Sequence, residues 1–295
     1  MNRALGTLVT LTWLFAMGAL IHRDILPFWQ AQDPPSQNIP PGQFQVSIHS
    51  RHGRRIGTTW VTTTPVASYT LVASTTRLDV GALSGLSTMA GELFVETELT
   101  YAADDTLDEF SLKLDSGALS AIVSGARYGR EYACTATIGP VTRTLSFDGE
   151  LSSLLGDSLR PFTYLEGLHV GQSWRLRLID PLELLRSQSL DFTTQLVRVT
   201  RRETIQHAGR AVECLRIETD GTVAWADDDG RVLRQEVRIP FLGKWVISAE
   251  PFDEASYNRA ETVLDRLRSE KNGPGASPRG VGSQSRSVVR DDPVN

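Results

Sequence analysis

Hydrophobic and polar positions alternate with a period of two through most of the chain between residues 43 and 250. The clearest stretch sets Phe110, Leu112 and Leu114 against Ser111, Lys113 and Asp115, and Trp174, Leu176 and Leu178 against Arg175 and Arg177 repeat it. Successive side chains of a strand point to opposite faces, so this pattern predicts strands with one face on a core and one in solvent. Further strands are expected at Phe44 to Ser50, Ile56 to Val66, Tyr69 to Val80, Glu92 to Ala102, Glu131 to Ile138 and Val141 to Phe147. Beyond the middle of the chain they are expected at Phe192 to Thr200, Ala211 to Glu218, Thr222 to Ala226, Arg231 to Ile239 and Trp245 to Ala249. Short glycine-bearing turns join many of them, which favours an antiparallel meander over a parallel sheet.

Two stretches break the alternation. Leu151, Leu154 and Leu155 fall at helical spacing within Glu150 to Leu159, and Pro161 stops that run; Pro181 to Leu185 offers one more helical turn. Phe252 to Glu270 is the strongest helix, with Ala260, Val263, Leu264 and Leu267 in one stripe and Glu261, Asp265, Arg266 and Arg268 on the other side. No repeat of fixed length stands out. The expected fold is therefore mainly β with minor α: a curved antiparallel sheet or half-barrel with one or two packed helices.

A single N-terminal transmembrane helix is expected before it. Ala4 to Ile21 holds 18 residues without a charge, about 27 Å of helix against the roughly 30 Å apolar thickness of a bilayer. A cleaved signal peptide is the competing reading, with Ala16-Met17-Gly18 as its processing site. The apolar run continues past that site to Ile21, and Phe28 and Trp29 follow as interfacial aromatics, which favours an uncleaved anchor. No cysteine lies near this segment, so a lipid-modified N-terminus is excluded. The expected organisation is an anchor or signal over residues 4–21, a proline-rich tether over 22–42, an exported β domain with a C-terminal helix over 43–271, and a disordered tail rich in Gly, Ser, Pro and Arg over 272–295. The C-terminal domain is expected in the periplasm or outside the cell.

Net charge and reactive side chains narrow the functions. A formal charge of −5 argues against nucleic acid, which selects basic surfaces. Cys134 and Cys214 are the only cysteines; outside the cytosol they form either one disulfide or two separate buried thiols. The five histidines, His22, His49, His52, His169 and His207, show no metal-ligand spacing. Asp104, Asp105, Asp108 and Glu109 read as an acidic connection, and Gly81 to Leu86 lacks the lysine and helix of a phosphate loop. In Trp225 to Arg234, WADDDGRVLR, three aspartates invite a calcium reading. The one-three-five spacing and the later glutamate of a calcium loop are missing, so a tight hairpin turn is the expectation. No catalytic, cofactor or metal site is assigned.

That hairpin, with Trp225, Asp227, Gly230, Val232, Leu233 and Arg234 in the pattern W-x-D-x-x-G-x-V-L-R, resembles the late hairpin of an exported β-rich domain of unknown function in bacteria. Such domains often stand ahead of transglutaminase-like domains in membrane-anchored proteins and are loosely similar to periplasmic lipoprotein-carrier folds. Arg55-Ile56-Gly57 and Val170-Gly171-Gln172-Ser173-Trp174 leading to Ile179-Asp180-Pro181 agree with the resemblance. It implies a strongly curved sheet around helices, sometimes with an apolar ligand cavity. No transglutaminase-like sequence follows the last helix of these 295 residues, so an enzymatic role is not carried over.

Thr58 to Thr76 mixes Thr and Ser with Trp60, Val61, Val66, Tyr69, Leu71 and Val72, so one sheet face is expected apolar and the other rich in hydroxyls. Trp60, Tyr69 and Leu71 are the expected lining of an apolar cavity, with Gly81 to Ala90 as its lid, unless helices fill that face. The leading expectation is a membrane-anchored, non-enzymatic scaffold or binding module of the cell envelope for a lipid-like or protein partner. A divergent hydrolase or metal-dependent enzyme is one alternative, with Asp227, Asp229, His169 or His207 converging in a cleft. An accessory subunit of an envelope complex is the other.

Overall fold

The computed structural model describes residues 2–21, 35, 40–79, 81, 91–104, 106–116, 120–148, 156–157, 162–179, 192–239 and 243–271. Helix α1 covers Asn2–Leu20. The first meander comprises β1 (Gly42–Ser50), β2 (Arg55–Val66), β3 (Tyr69–Asp79), β4 (Glu92–Ala102), β5 (Leu107–Asp115), β6 (Ser120–Tyr128), β7 (Glu131–Ile138) and β8 (Val141–Asp148). The second comprises β9 (Gly156–Asp157), β10 (Ser173–Ile179), β11 (Phe192–His207), β12 (Arg210–Glu218), β13 (Thr222–Ala226), β14 (Val232–Ile239) and β15 (Gly243–Glu250), and α2 (Glu254–Lys271) follows.

All fifteen strands form one open sheet in the order β8-β7-β6-β5-β4-β3-β2-β1-β15-β14-β13-β12-β11-β10-β9. Every pairing is antiparallel except β9 against β10. The first and last strands of the chain's meanders therefore meet in the middle, where β1 pairs with β15 from Gln45↔Glu250 to Ser50↔Trp245. The mainly β, antiparallel architecture with a packed helix is as the alternation predicts. Of the expected short helix at Glu150 to Leu159, only Gly156 and Asp157 are described, and they are strand: extended backbone there pairs with the outer edge of β10. Pro181 to Leu185, the lid from residue 82 onward and the tail 272–295 lie outside the described residues.

Among the described residues no helix is long and apolar enough to cross a membrane. The side chains of residues 4–9, part of the expected span, lie outside the described set. From Leu11 onward α1 exposes its apolar side chains, 60 % of Trp13 and 79 % of Phe15 among them. Within the expected tether, Pro35 is buried.

Cross-strand partners share a face, so the ladders sort the side chains into two sets. One face is buried. It carries a continuous apolar layer that includes Val46, Ile48, Val61, Val72, Val95, Leu114, Val123, Ala136 and Ile247, and a second patch around Trp174, Val197, Ile217 and Ala224. The segment Phe162–Leu165 lies on this face as a strap. Gln235, only 3 % exposed, donates from Nε2 to the Phe162 carbonyl at 2.5 Å and accepts from the Phe162 amide at 3.3 Å. The strap also bonds the β13–β14 hairpin, from the Leu165 amide to the Gly230 carbonyl at 2.9 Å and from the Val232 amide to the Thr163 carbonyl at 3.2 Å.

On the opposite face Ile205, Cys214, Trp225 and Leu233 form a small buried cluster toward one end, and α2 crosses nearer the middle. Trp60 and Phe94 meet Ala260 and Leu264 there, with Tyr257 edge-on to Trp60 at 6.1 Å between ring centroids. Side chains hold both ends of the helix: the Asp253 amide donates to Gln45 Oε1 at 3.0 Å, and Arg268 pairs with Glu96. The expected split of β2 and β3 into an apolar and a hydroxyl face is not clean. Val61 and Val72 do face the core, but so do Thr59 and Thr76, whose hydroxyls pair at 2.8 Å.

Candidate functional site

Beside α2, the open face of β3 to β7 forms a groove of about 430 Å³. Two adjacent rows of the ladder make its floor. One runs Ala73, Glu98, Ser111, Ser124 and Thr135; the next runs Leu71, Thr100, Glu109, Ala126 and Ala133. Tyr128, 70 % exposed, lines one side. Glu98 and Glu109 sit diagonally on neighbouring strands, a placement that separates Cβ atoms by roughly 7–8 Å.

Toward α2, two carboxylates of this face hold arginines: Arg77 binds Glu92, and Arg268 binds Glu96. Lys113, opposite Glu96 on β5, shares the face, and the Arg127–Asp108 pair, at 2.6 Å, has its arginine on the other face, level with Tyr132. Among the described residues, Glu98 and Glu109 are exposed and take no hydrogen bond or ion pair. On the same face of β11 to β15 several charges are paired. Trp225 lies between Arg216 and Arg234, each guanidinium 5.5 Å from its ring, and Glu203, Glu218 and Glu236 bind those arginines. The groove is therefore where the sheet's open surface offers anionic and hydroxyl acceptors to something else.

The residues expected to line an apolar cavity are divided. Trp60 is buried under α2, Leu71 borders the groove, and Tyr69 is 39 % exposed at the start of β3. The helix fills the Trp60 end of this face, and the part it leaves open mixes the carboxylates Glu98 and Glu109 and the hydroxyls of Thr100, Ser111, Ser124 and Thr135 with Leu71, Ala126, Ala133 and Tyr128.

Of the other candidates, His207 and Asp227 lie near each other, and the cysteines stand far apart. Cys134 and Cys214 are free, buried thiols, and nine strands of the sheet stand between β7 and β12. No disulfide joins them. Burial pushes both thiols up to about 11, so both stay protonated near neutral pH and are poor nucleophiles. Alkylation of the folded protein at pH 8 is expected to be slow at both sites and to become fast in denaturant, with the same electrophoretic mobility with and without reductant. A mobility difference would contradict the free-thiol arrangement.

In the WADDDGRVLR turn, Asp227 Oδ1 accepts from the Arg231 amide at 2.8 Å and Asp228 pairs with Arg202 at 2.7 Å. Two of the three aspartates thus serve the hairpin. Burial raises the Asp227 pKa. His207 closes β11 ahead of the Ala208-Gly209 turn, and burial, then Arg231, lower its pKa while Asp227 opposes them. His169 stands in the turn before β10, its amide on Gln172 Oε1 at 3.3 Å. Asp104 caps the turn before β5 through the Thr106 amide. Among the described residues no group of three or more His, Cys, Asp or Glu side chains is placed to hold a metal ion.

Comparison with family profiles, with curated proteins and with solved structures finds no match to this chain. The groove's geometry therefore carries the functional argument. Sequence alone does not disclose it, because its polar residues come from β4, β5, β6 and β7 and meet only through the hairpin registers.

Proposed function

We propose that the chain is a non-enzymatic binding module of the cell envelope, held to a membrane by its N-terminal helix, that receives a protein partner in the groove over β3 to β7. The observation that carries this reading is the pair of carboxylates Glu98 and Glu109, which take no partner among the described residues, in a groove beside which Glu92 and Glu96 each hold an arginine. A groove that mixes two carboxylates and several hydroxyls with small apolar side chains suits a peptide segment better than an acyl chain, so of the two partner classes the protein is favoured. The resemblance of the Trp225–Arg234 hairpin to exported domains supports the envelope location. The uncharged run Ala4 to Ile21 and the exposed Trp13 and Phe15 support the anchor.

Photocrosslinking in cells tests the binding reading. A photoreactive side chain at Thr135, on the groove floor, is expected to yield a discrete adduct with a second protein, and the double substitution Glu98→Lys with Glu109→Lys is expected to reduce it at least tenfold. No adduct, or one unaffected by the charge reversal while the variant retains its melting temperature, would remove the groove as the binding site. For the anchor, the protein is expected to stay with membranes after alkaline extraction. A soluble mature form starting near Ala19 would overturn it.

A further inference from the structure

A sheet that does not close on itself ends in edge strands, and one edge here is long and exposed. We propose that β8 pairs antiparallel with β8 of a second copy of this chain, joining two sheets edge to edge about a twofold axis. This goes beyond the groove reading and does not depend on it. Three observations converge on it.

The first is exposure. β7 bonds the inner side of β8 from Glu131↔Asp148 to Ile138↔Val141, and among the described residues no strand pairs with its outer side. Four consecutive residues, Val141, Thr142, Arg143 and Thr144, are exposed, so both faces of the strand meet solvent there. The core-face row of β7, Tyr132, Cys134, Ala136 and Ile138, is at most 8 % exposed, whereas Val141, directly opposite Ile138, is 42 % exposed. The apolar layer thus reaches β8 without a neighbour to close it.

The second is the lack of protection. Natural edge strands are blunted by proline, lysine, bulges or short length. β8, VTRTLSFD, holds no proline or lysine, and its ladder to β7 runs without a register shift. The other edge ends in the two-residue β9. Arg143, the only cation of β8, is already engaged within its own chain.

The third is self-complementarity. Directly opposed residues of an antiparallel pair share a face, so β8 meets its copy odd to odd and even to even. Centring the pair on Thr144 sets Thr144 against Thr144 and Thr142 against Ser146 on the open face. On the core face it sets Val141 against Phe147 and Arg143 against Leu145. Hydroxyl pairs and aromatic–β-branched pairs are favourable cross-strand combinations, and no like charges stand opposite each other. The exposed Val141 decides this register, because centring on Leu145 sets it against Gly149, beyond the strand. A single ladder is small beside a standard interface, so a covalent trap in intact cells reads the pairing better than mass in dilute solution.

Single cysteines in the full-length chain, oxidised in cells with copper phenanthroline, read both pairing and register. Both native thiols are buried, and the parent chain is the control. Thr144→Cys sets two thiols across the axis with Cα atoms about 4.5–5.5 Å apart, inside the roughly 7 Å limit for a disulfide. It is expected to give a band at twice the mass of the chain. Thr142→Cys and Ser146→Cys, each about 13 Å along the strand from its own copy, are expected to give at least tenfold less alone and to recover the band when coexpressed. Adding Thr144→Lys, at an exposed position, sets two ammonium groups face to face. It is expected to lower the mixed band at least tenfold at an unchanged melting temperature. No band from Thr144→Cys, equal bands from all three positions, or a mixed band that survives Thr144→Lys would each overturn the proposal. The Thr135 adduct is read separately, so its loss beside a persisting Thr144 band defeats only the groove reading.

Discussion

Replacing Trp60 with alanine is expected to cost about 3–5 kcal/mol, the range for emptying a large buried aromatic site. Trp60 is 3 % exposed and with Phe94 forms the sheet's apolar seat for α2, against Tyr257, Ala260 and Leu264. The ion pair between Arg268 and Glu96 at the far end of the helix is partly exposed, and such pairs contribute about 0–1 kcal/mol. The ring therefore decides whether α2 stays down. Thermal melting is expected to fall by about 10 °C or more for a domain of this size, and amide exchange is expected to accelerate selectively over Glu254–Lys271. Trp60→Phe separates packing from polarity. The indole Nε1 is buried without a hydrogen-bond partner, and phenylalanine removes that unpaired donor while keeping most of the apolar surface, so a loss below about 1 kcal/mol is expected. A phenylalanine variant as damaged as the alanine one would show that ring packing is not what holds the helix.

The second large effect is expected at Gly230. Its φ of +86° belongs to the left-handed region, and a Cβ built there would stand 2.4 Å from the Leu165 carbonyl oxygen. Alanine must both accept an unfavourable backbone and push away the strap that the Leu165 amide ties to the Gly230 carbonyl. Strain and weakened hydrogen bonds together are expected to cost about 3 kcal/mol. Gly129 supplies the control: its φ is +67°, but nothing lies within 4 Å of its Cβ position. Gly129→Ala is expected to lose only the backbone preference, about 1–2 kcal/mol. The difference in denaturant midpoint between the two variants measures the strap contact, and equal midpoints would mean that the strap yields freely.

Local alternation discloses the strands that obey it. The bounds of β4, β7 and β13 fall where the pattern puts them, at Glu92–Ala102, Glu131–Ile138 and Thr222–Ala226. Besides β9, where a helix is expected, β6 and half of β11 escape for physical reasons. β6, SAIVSGARY, has small residues and Gly125 where a strand usually carries bulk; the glycine is needed because a Cβ there would meet the Phe110 ring at 2.4 Å. The second half of β11, Arg201 to His207, lies beyond the strand end expected at Thr200. It is strand because it pairs with β12 from Arg201↔Arg216 to His207↔Arg210, with Arg202 reaching Glu213 across the ladder and Asp228 in the turn. The strand order is hidden for another reason. The bond from Gln45 Nε2 to Glu250 links residues 205 apart, and no local pattern encodes such a pairing. The groove inherits that limit, since its acidic and hydroxyl residues are unremarkable one strand at a time.

The meeting of β1 and β15 has a mechanical consequence. Tension drawn through the N-terminus enters the sheet at β1, its centre, where ladders to β2 and β15 bind both edges of the strand. An edge strand pulled at one end peels away one hydrogen bond at a time. A central strand pulled along its axis must slide past two neighbours, so its bonds share the load and fail together. If the leading helix is fixed in a bilayer and a partner pulls on the groove, β1 is the strand best placed to transmit that force without unravelling the sheet.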